Sequence, residues 1–289
     1  MSARDSLGES RLRPHKKWGQ NFLTDPRILE SIANAAELTG ADTVLEIGPG
    51  LGHLTRVLAD RAGRVVAVEI DRDLAAKLQE TFAATPRIEI IHGDILTREP
   101  ADWLRMPGAG IDPAPHFKVV ANLPYYITSA ILRHLLESRV RPGLVVVMVQ
   151  REVAQRMPAK PPAMNLLAVS VQFFSQVRVV RTIAPGAFYP RPKVESAVVR
   201  LDVFDRPPLG IEDTARFFEL VRAGFGERRK QLRNSLSHGL GVDPPIAASL
   251  LQRAHVDPSR RAETLTLDEW GTLYHVWASF PIVGGKRRV

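Results

Sequence analysis

The chain has 289 residues, 45% of them hydrophobic and 24% charged, a balance that fits one large or two ordinary globular domains and excludes a fibrous or disordered polymer. It contains no cysteine, which excludes disulfides, thiolate zinc sites and thiol nucleophiles. Its formal charge of +8 favours a polyanionic partner, nucleic acid before an acidic membrane surface.

The opening Met1–Pro14 is polar and basic and lacks the apolar core of a secretory signal, so residues 1–14 are expected to be a flexible basic arm and the protein cytoplasmic. No apolar run approaches the ~20 residues that span a bilayer. After Arg27 a helical pattern runs through Ile28, Leu29, Ile32, Ala35, Ala36 and Leu38, with Gly40 as its stop. Short β-branched runs then predict strands at Thr43–Ile47, Arg64–Ile70, Ile88–His92, Phe117–Ala121 and Leu144–Gln150. Helical spacing fills Leu54–Arg61, Asp73–Phe82 and Ser129–Glu137 between them. Such alternation predicts a parallel sheet covered by helices. Val169–Ile183 and Ser196–Phe204 read as two further strands with no ordinary helix between them, hence an antiparallel edge hairpin. Composition shifts at Asp205-Arg206-Pro207-Pro208, and helices are predicted at Thr214–Ala223, Glu227–Leu240, Pro245–Ala254 and Leu267–Ser279. The expected architecture is an α/β domain over 15–205 and a small all-helical domain over 206–289.

The first strand runs into Gly48-Pro49-Gly50-Leu51-Gly52 and then a helix. Such a turn lets backbone amides approach a ligand at a helix N-terminus, although a tight strand–helix connection would also use it. Glu69, about 20 residues further on at the end of the second strand, is placed to accept hydrogen bonds from ribose hydroxyls. The dinucleotide fingerprint needs a small residue where His53 stands, and no G-x-x-x-x-G-K-[ST] is present. Spacing G-x-G-x-G preceded by Glu46 resembles the methyltransferase version of this turn, which implies S-adenosyl-L-methionine instead. Asp94, after Gly93, suits the adenine end of that ligand; a helix cap is the competing reading.

The fourth strand delivers Ala121-Asn122-Leu123-Pro124-Tyr125-Tyr126 to the carboxyl edge of the sheet, where open α/β folds bind ligands. An exocyclic amine of a base is a poor nucleophile because its lone pair is delocalised into the ring. The Asn122 side-chain oxygen and the Pro124 carbonyl are two acceptors for its hydrogens, and Tyr125 offers a ring for stacking. No metal and no strong base is needed. A plain turn, with Asn and Pro setting the backbone, is the competing reading.

The tetrad resembles that of amino-group methyltransferases, and its surroundings resemble the ribosomal RNA adenine dimethyltransferase family, known in bacteria as the RsmA or KsgA family. The matching segments are Lys17–Leu23, Leu45–Leu54, Val66–Asp71, Gly93-Asp94, Asn122–Tyr126, Gln150–Ala154, Phe188–Val194, Arg228–Lys230, Leu232–Asn234 and Arg261–Leu265. They cover nearly the whole chain beyond the arm. The resemblance implies that Asn21, Leu23, Gly48, Gly50, Glu69, Asp94 and Asn122 serve the cofactor, and that Phe188 faces Tyr125 across the target adenine. Read without it, Phe188 would be a core aromatic and Asn21 an Asx-turn or cap. The implied substrate is a pair of adjacent adenines in the 3′-terminal hairpin of small-subunit ribosomal RNA, within an assembling 30S particle. One stretch departs from the family: Pro158–Leu166 stands where a loop with a Tyr-Gly pair is expected.

Arg228, Arg229, Lys230 and Arg233 are read as part of one helix, with Leu232, Leu236 and Leu240 inward and Arg229, Lys230 and Arg233 sharing a flank at about 100° per residue. Beside a base-modifying site they are candidates for RNA phosphates, although a run of cations is often a solvated face. Arg11, Arg13, His15, Lys16 and Lys17 form a second basic stretch and Lys286-Arg287-Arg288 a third. The C-terminal motifs of the RNA family argue against a small-molecule or DNA amine methyltransferase, and two other functions compete. One is an erythromycin-resistance-type methyltransferase acting on large-subunit RNA, which Leu123 and the Phe188–Val194 segment disfavour. The other is a non-catalytic assembly or transcription factor on the same fold, which would be expected to have lost Asn122, Glu69 or the glycines. Nothing in the sequence calls for an obligate oligomer, and a monomer is expected.

Overall fold

The computed structural model describes residues 20–105, 116–227 and 229–279. The basic arm, Arg228 and Lys286-Arg287-Arg288 lie outside them. The chain divides into two compact units, one holding the residues up to Gln155 together with Phe174–Asp205, the other Arg156–Phe173 together with the chain from Arg206 onward. The composition shift at Asp205 coincides with one cut. The excursion 156–173, read from sequence as part of the first domain, belongs to the helical unit.

In the first unit, β1 (Phe22–Leu23) precedes α1 (Pro26–Ala35), β2 (Thr43–Ile47), α2 (His53–Ala59), β3 (Arg64–Glu69), α3 (Arg72–Phe82) and β4 (Ile88–His92). There follow β5 (Phe117–Asn122), α4 (Thr128–Leu136), β6 (Leu144–Gln150), the short α5 (Arg151–Arg156), β7 (Ser175–Ile183), β8 (Phe188–Tyr189) and β9 (Ser196–Val203). The sheet order is β4-β3-β2-β5-β6-β9-β7. The first five strands pair in parallel, and β9 then runs antiparallel to both β6 and β7. This is the expected Rossmann-like α/β sheet with an antiparallel edge.

Consecutive residues Val44 and Leu45, Val65 and Val66, Val119 and Val120, and Val145 and Val146 are all fully buried. Side chains alternate along a strand, so both faces are covered. On one face Ile32 of α1 and Leu58 of α2 join Val44, Val65, Val120 and Val146 in a single cluster. Cutting back such a fully buried isoleucine costs about 2–5 kcal/mol.

Helix α1 starts where Asp25 accepts the Arg27 N–H and Pro26 takes the first turn. It ends at Ala35 rather than running on to Gly40. Glu37 turns left-handed at φ 47, and Arg200 and Lys118 donate to the carbonyls of Ala35, Ala36 and Glu37. Cations at a helix C-terminus satisfy the last carbonyls and the dipole together.

The second unit contains α6 (Leu166–Phe174), α7 (Thr214–Phe225), α8 (Leu232–Leu240), α9 (Pro244–Arg253) and α10 (Leu267–Ser279). Two sequence readings are corrected by it. Val169–Phe174 is helix, not strand. The Asn165 side chain caps the Ala168 N–H at 3.1 Å, and the Phe173 ring stacks on Phe217 at 4.6 Å with Phe218 edge-on at 5.4 Å. Tertiary burial thus overrides the β-branched preference. The second correction is that Glu227–Leu240 is not one helix. Gln231 is extended at ψ 148, and the Leu232 N–H donates to the Arg260 carbonyl instead of to an earlier turn.

The atypical stretch after Arg156 is fastened within this unit. Gln172 donates to the carbonyls of Met157 and Ala159, each at 2.8 Å, and the Met164 N–H donates to the Glu263 carbonyl at 3.0 Å.

Candidate active site

A solvent-open cleft lies at the carboxyl ends of β2, β3 and β5, where open α/β folds bind ligands. Its floor is the glycine turn. Gly48, Gly50 and Gly52 have φ of 67, 60 and 77, and the Gly48 N–H ties the turn to Val68 of β3 at 2.9 Å. A Cβ on Gly50 would stand 3.0 Å from the Phe22 ring, and one on Gly52 would stand 2.7 Å from Leu78. A side chain at either position is therefore opposed by backbone strain and by packing.

Glu69, at the end of β3, is buried and braced on both oxygens. Gly50 N–H donates to Oε2 at 3.1 Å and Asp71 N–H to Oε1 at 3.0 Å. Burial pushes its carboxyl above the usual range, against the pull of those N–H groups. Glu46, inside β2, is 1% exposed, and its Oε2 has no hydrogen-bond partner. Burial pushes this carboxyl up to about 8, the Thr55 hydroxyl opposing and Glu69 adding to the shift.

The segment Gln20–Leu23 closes one side of the cleft. The Gln20 amide donates to Asp71 at 3.0 Å, and the Asn122 amide donates to the Asn21 carbonyl at 3.1 Å. His53 Nδ1 meets the Leu23 carbonyl at 3.1 Å, so in the neutral ring Nδ1 carries the proton. β1 also pairs antiparallel with β8, Leu23 opposite Phe188.

With Asn122 Nδ2 committed to Asn21, the orientation of the amide is fixed, and Oδ1 is its remaining acceptor. Pro124, two residues on, presents a carbonyl that already accepts the Ile127 N–H at 3.3 Å and the Thr128 hydroxyl at 3.1 Å. Tyr125 is anchored through its hydroxyl to Ser196 of β9 at 2.6 Å, and burial raises the phenol pKa. Tyr126 is 58% exposed.

The cleft is lined by Asn21, Leu23, Gly48, Gly50, Glu69, Asn122, Pro124 and Tyr125 from the sequence reading. Asp94 is not among its lining residues, and its side chain accepts the Leu96 N–H at 3.0 Å as a cap. Phe188 is buried in the cluster that holds Leu23, Leu29 and Ile183, the position expected of a core aromatic. Gln20, His53 and Ser196 escaped the sequence reading. The first two lie inside recognised segments, but Ser196 gives no signal short of the β6–β9 pairing that brings it to Tyr125. In the second unit Arg229, Lys230 and Arg233 are exposed, with only Arg233 on α8.

The cleft suits a nucleoside cofactor that carries positive charge. A glycine turn permits close approach, Glu69 is an acceptor at the ribose position, and among the described residues no lysine or arginine lines it. Comparison with known proteins agrees. Residues 11–278 match the family model described as ribosomal RNA adenine dimethylase. A ribosomal RNA small subunit methyltransferase A of Dehalococcoides mccartyi (strain ATCC BAA-2266 / KCTC 15142 / 195) is 47% identical over 96% of this chain and 94% of its own. One from Moorella thermoacetica is 46% identical over 92% and 93%. Among solved structures, a dimethyladenosine transferase from Plasmodium falciparum superposes with a TM-score of 0.71 at 25% identity, covering 87% of this chain and 95% of that one. The 23S rRNA methyltransferase ErmE does so with 0.68 at 30%, covering 90% and 100%.

Proposed function

The chain belongs to the ribosomal RNA adenine dimethylase family, and from that membership we propose that it dimethylates the N6 amines of two adjacent adenines in the 3′-terminal hairpin of small-subunit ribosomal RNA, on assembling 30S particles. It is a methyltransferase, and S-adenosylmethionine supplies it with a methyl group on a positively charged sulfur, already activated for in-line displacement.

The chain's own residues hold and orient. The glycine turn and Glu69 hold the nucleoside part, with Asn21 and Leu23 closing over it, and Asp94 serves the cofactor's adenine through the carboxylate oxygen beyond its capping bond to Leu96. The observation that carries the reading is the fixed amide of Asn122. Its Oδ1 accepts one hydrogen of the incoming amine, and the Pro124 carbonyl accepts the other. That carbonyl has only two lone pairs and is already engaged, so the Thr128 hydroxyl, which can rotate away, is the bond that yields. Drawing both hydrogens to one side favours a pyramidal nitrogen with its lone pair free to attack. Tyr125, held by Ser196, is the stacking wall, and Phe188 supports the opposite side through β8. Arg228, Arg229, Lys230 and Arg233 take RNA phosphates.

The relatives named for the small subunit are more similar in sequence than ErmE, which favours small-subunit over large-subunit RNA. Offering labelled cofactor to unmodified small and large subunits side by side tests the choice. Label confined to the small-subunit RNA is expected. Label in large-subunit RNA would support the resistance-type reading, and binding without transfer would support an assembly factor.

A further inference from the structure

Two buried carboxyls line the cleft, and among the described residues no lysine or arginine lines it. They differ in their partners. Glu69 has a backbone N–H on each oxygen, whereas Glu46 is 1% exposed with Oε2 unpartnered. A buried charge without a partner is costly, so such a carboxyl keeps its proton until a cation arrives. Across the sheet Glu46 faces Ala67 of β3 and Val120 of β5. The titratable groups that share the cleft with it are Glu69 from β3, His53 from α2 and Tyr125 beyond β5. Glu69 disfavours a second negative charge. The His53 ring has its Nδ1 engaged with the Leu23 carbonyl.

We propose that Glu46 is a proton-linked sensor of the cofactor's positive charge: it is neutral in the free protein and releases its proton to solvent when the cationic amino-acid end of S-adenosylmethionine enters, so that donor and product are held unequally. The inference rests on S-adenosylmethionine being the cofactor. After transfer the product, S-adenosylhomocysteine, has lost the sulfonium charge but keeps its ammonium. The carboxylate then has one cation fewer beside it and a greater tendency to take a proton back, which weakens product binding relative to donor binding.

The raised carboxyl of Glu46 sets the working range. Donor affinity should rise by up to tenfold per pH unit below about pH 8 and level off above it.

The test is calorimetric titration of the whole protein near pH 7, in buffers of different ionisation enthalpy so that protons are counted apart from binding. The ligands are S-adenosylmethionine, S-adenosylhomocysteine and 5′-methylthioadenosine, which lacks the amino-acid end. Close to one proton released with the donor, and none with methylthioadenosine, supports the proposal. Less release with S-adenosylhomocysteine than with the donor supports the unequal holding of donor and product; equal release with the two overturns it. Glu46→Gln, nearly isosteric with the protonated carboxyl, should abolish the release and flatten the pH dependence. Equal release with all three ligands, or release that persists in Glu46→Gln, overturns the proposal. Donor binding with no proton released overturns it while sparing the cofactor reading, and failure of the donor to bind at all overturns both.

Discussion

The side-chain amide of Asn122 donates to the backbone carbonyl of Asn21 at 3.1 Å, across 101 residues of chain. That single bond joins the closing segment over the cleft to the strand that carries the chemistry. It also decides which end of the Asn122 amide is left to meet a substrate.

Asn122→Ala removes that acceptor and the tie to Asn21 together. Methyl transfer should fall by about 10²–10³-fold, the usual cost of deleting one well-placed polar group at a reacting centre. Donor affinity should change far less, because the Gly50 and Glu69 interactions remain. Single-turnover transfer alongside calorimetric binding separates the two, and a folded variant with full turnover would exclude Asn122 from the reaction.

Tyr125→Phe keeps the ring and loses the hydrogen bond to Ser196. A few-fold loss of transfer is expected from a looser ring, whereas Tyr125→Ala should lose about 5- to 150-fold more, since base–aromatic stacking is worth about 1–3 kcal/mol. Equal losses in the two variants would assign the role to the hydroxyl rather than the ring.

Glu46 has a consequence for stability. Its carboxyl is raised from an ordinary value of 4.5 to about 8 in the folded protein. Between those values the folded state holds a proton that the unfolded state has lost, so stability falls as pH rises through the window and levels off above it. Glu46→Gln should therefore match the wild type near pH 4 and melt higher at pH 8 without cofactor, by a margin on the order of a few kcal/mol. Thermal unfolding across pH measures this; melting curves that run parallel at every pH would contradict it.

Arg229→Ala combined with Arg233→Ala should weaken RNA binding and lower the slope of log affinity against log salt, by about 0.7 for each single-strand phosphate left without its cation. A salt titration with an unchanged slope would remove this surface from the RNA interface.

Gly50→Ala meets both a φ of 60 and a Phe22 ring 3.0 Å from the new methyl. Donor affinity should drop at least tenfold as the segment Gln20–Leu23 is displaced. Unaltered binding in calorimetry would show that the turn tolerates a side chain.

The sheet and the glycine turn were legible because short β-branched runs and a helix-starting turn are local signals. Thr43–Ile47, Ile88–His92 and Leu144–Gln150 fall on β2, β4 and β6 residue for residue. Val169–Phe174 was not legible, because its branched and aromatic residues owe their helical state to Phe217 and Phe218, more than forty residues away. The break at Gln231 was hidden in the same way, since it depends on the Arg260 carbonyl. In the cleft, residue types in a motif marked Glu69, Asn122 and the glycines. Position in the motif did not reveal that the Pro124 carbonyl is already engaged, nor that Ser196 anchors Tyr125. Both follow from chain packing, not from spacing.

The central claim is tested most directly by incubating the protein and S-adenosylmethionine with small subunits that lack the modification, then mapping methylated nucleosides along the RNA by mass spectrometry. The account predicts N6,N6-dimethyladenosine at two adjacent positions in the 3′-terminal hairpin, with loss of both in Asn122→Ala. Methylation elsewhere in the RNA, or at an atom other than the adenine amine, would contradict it.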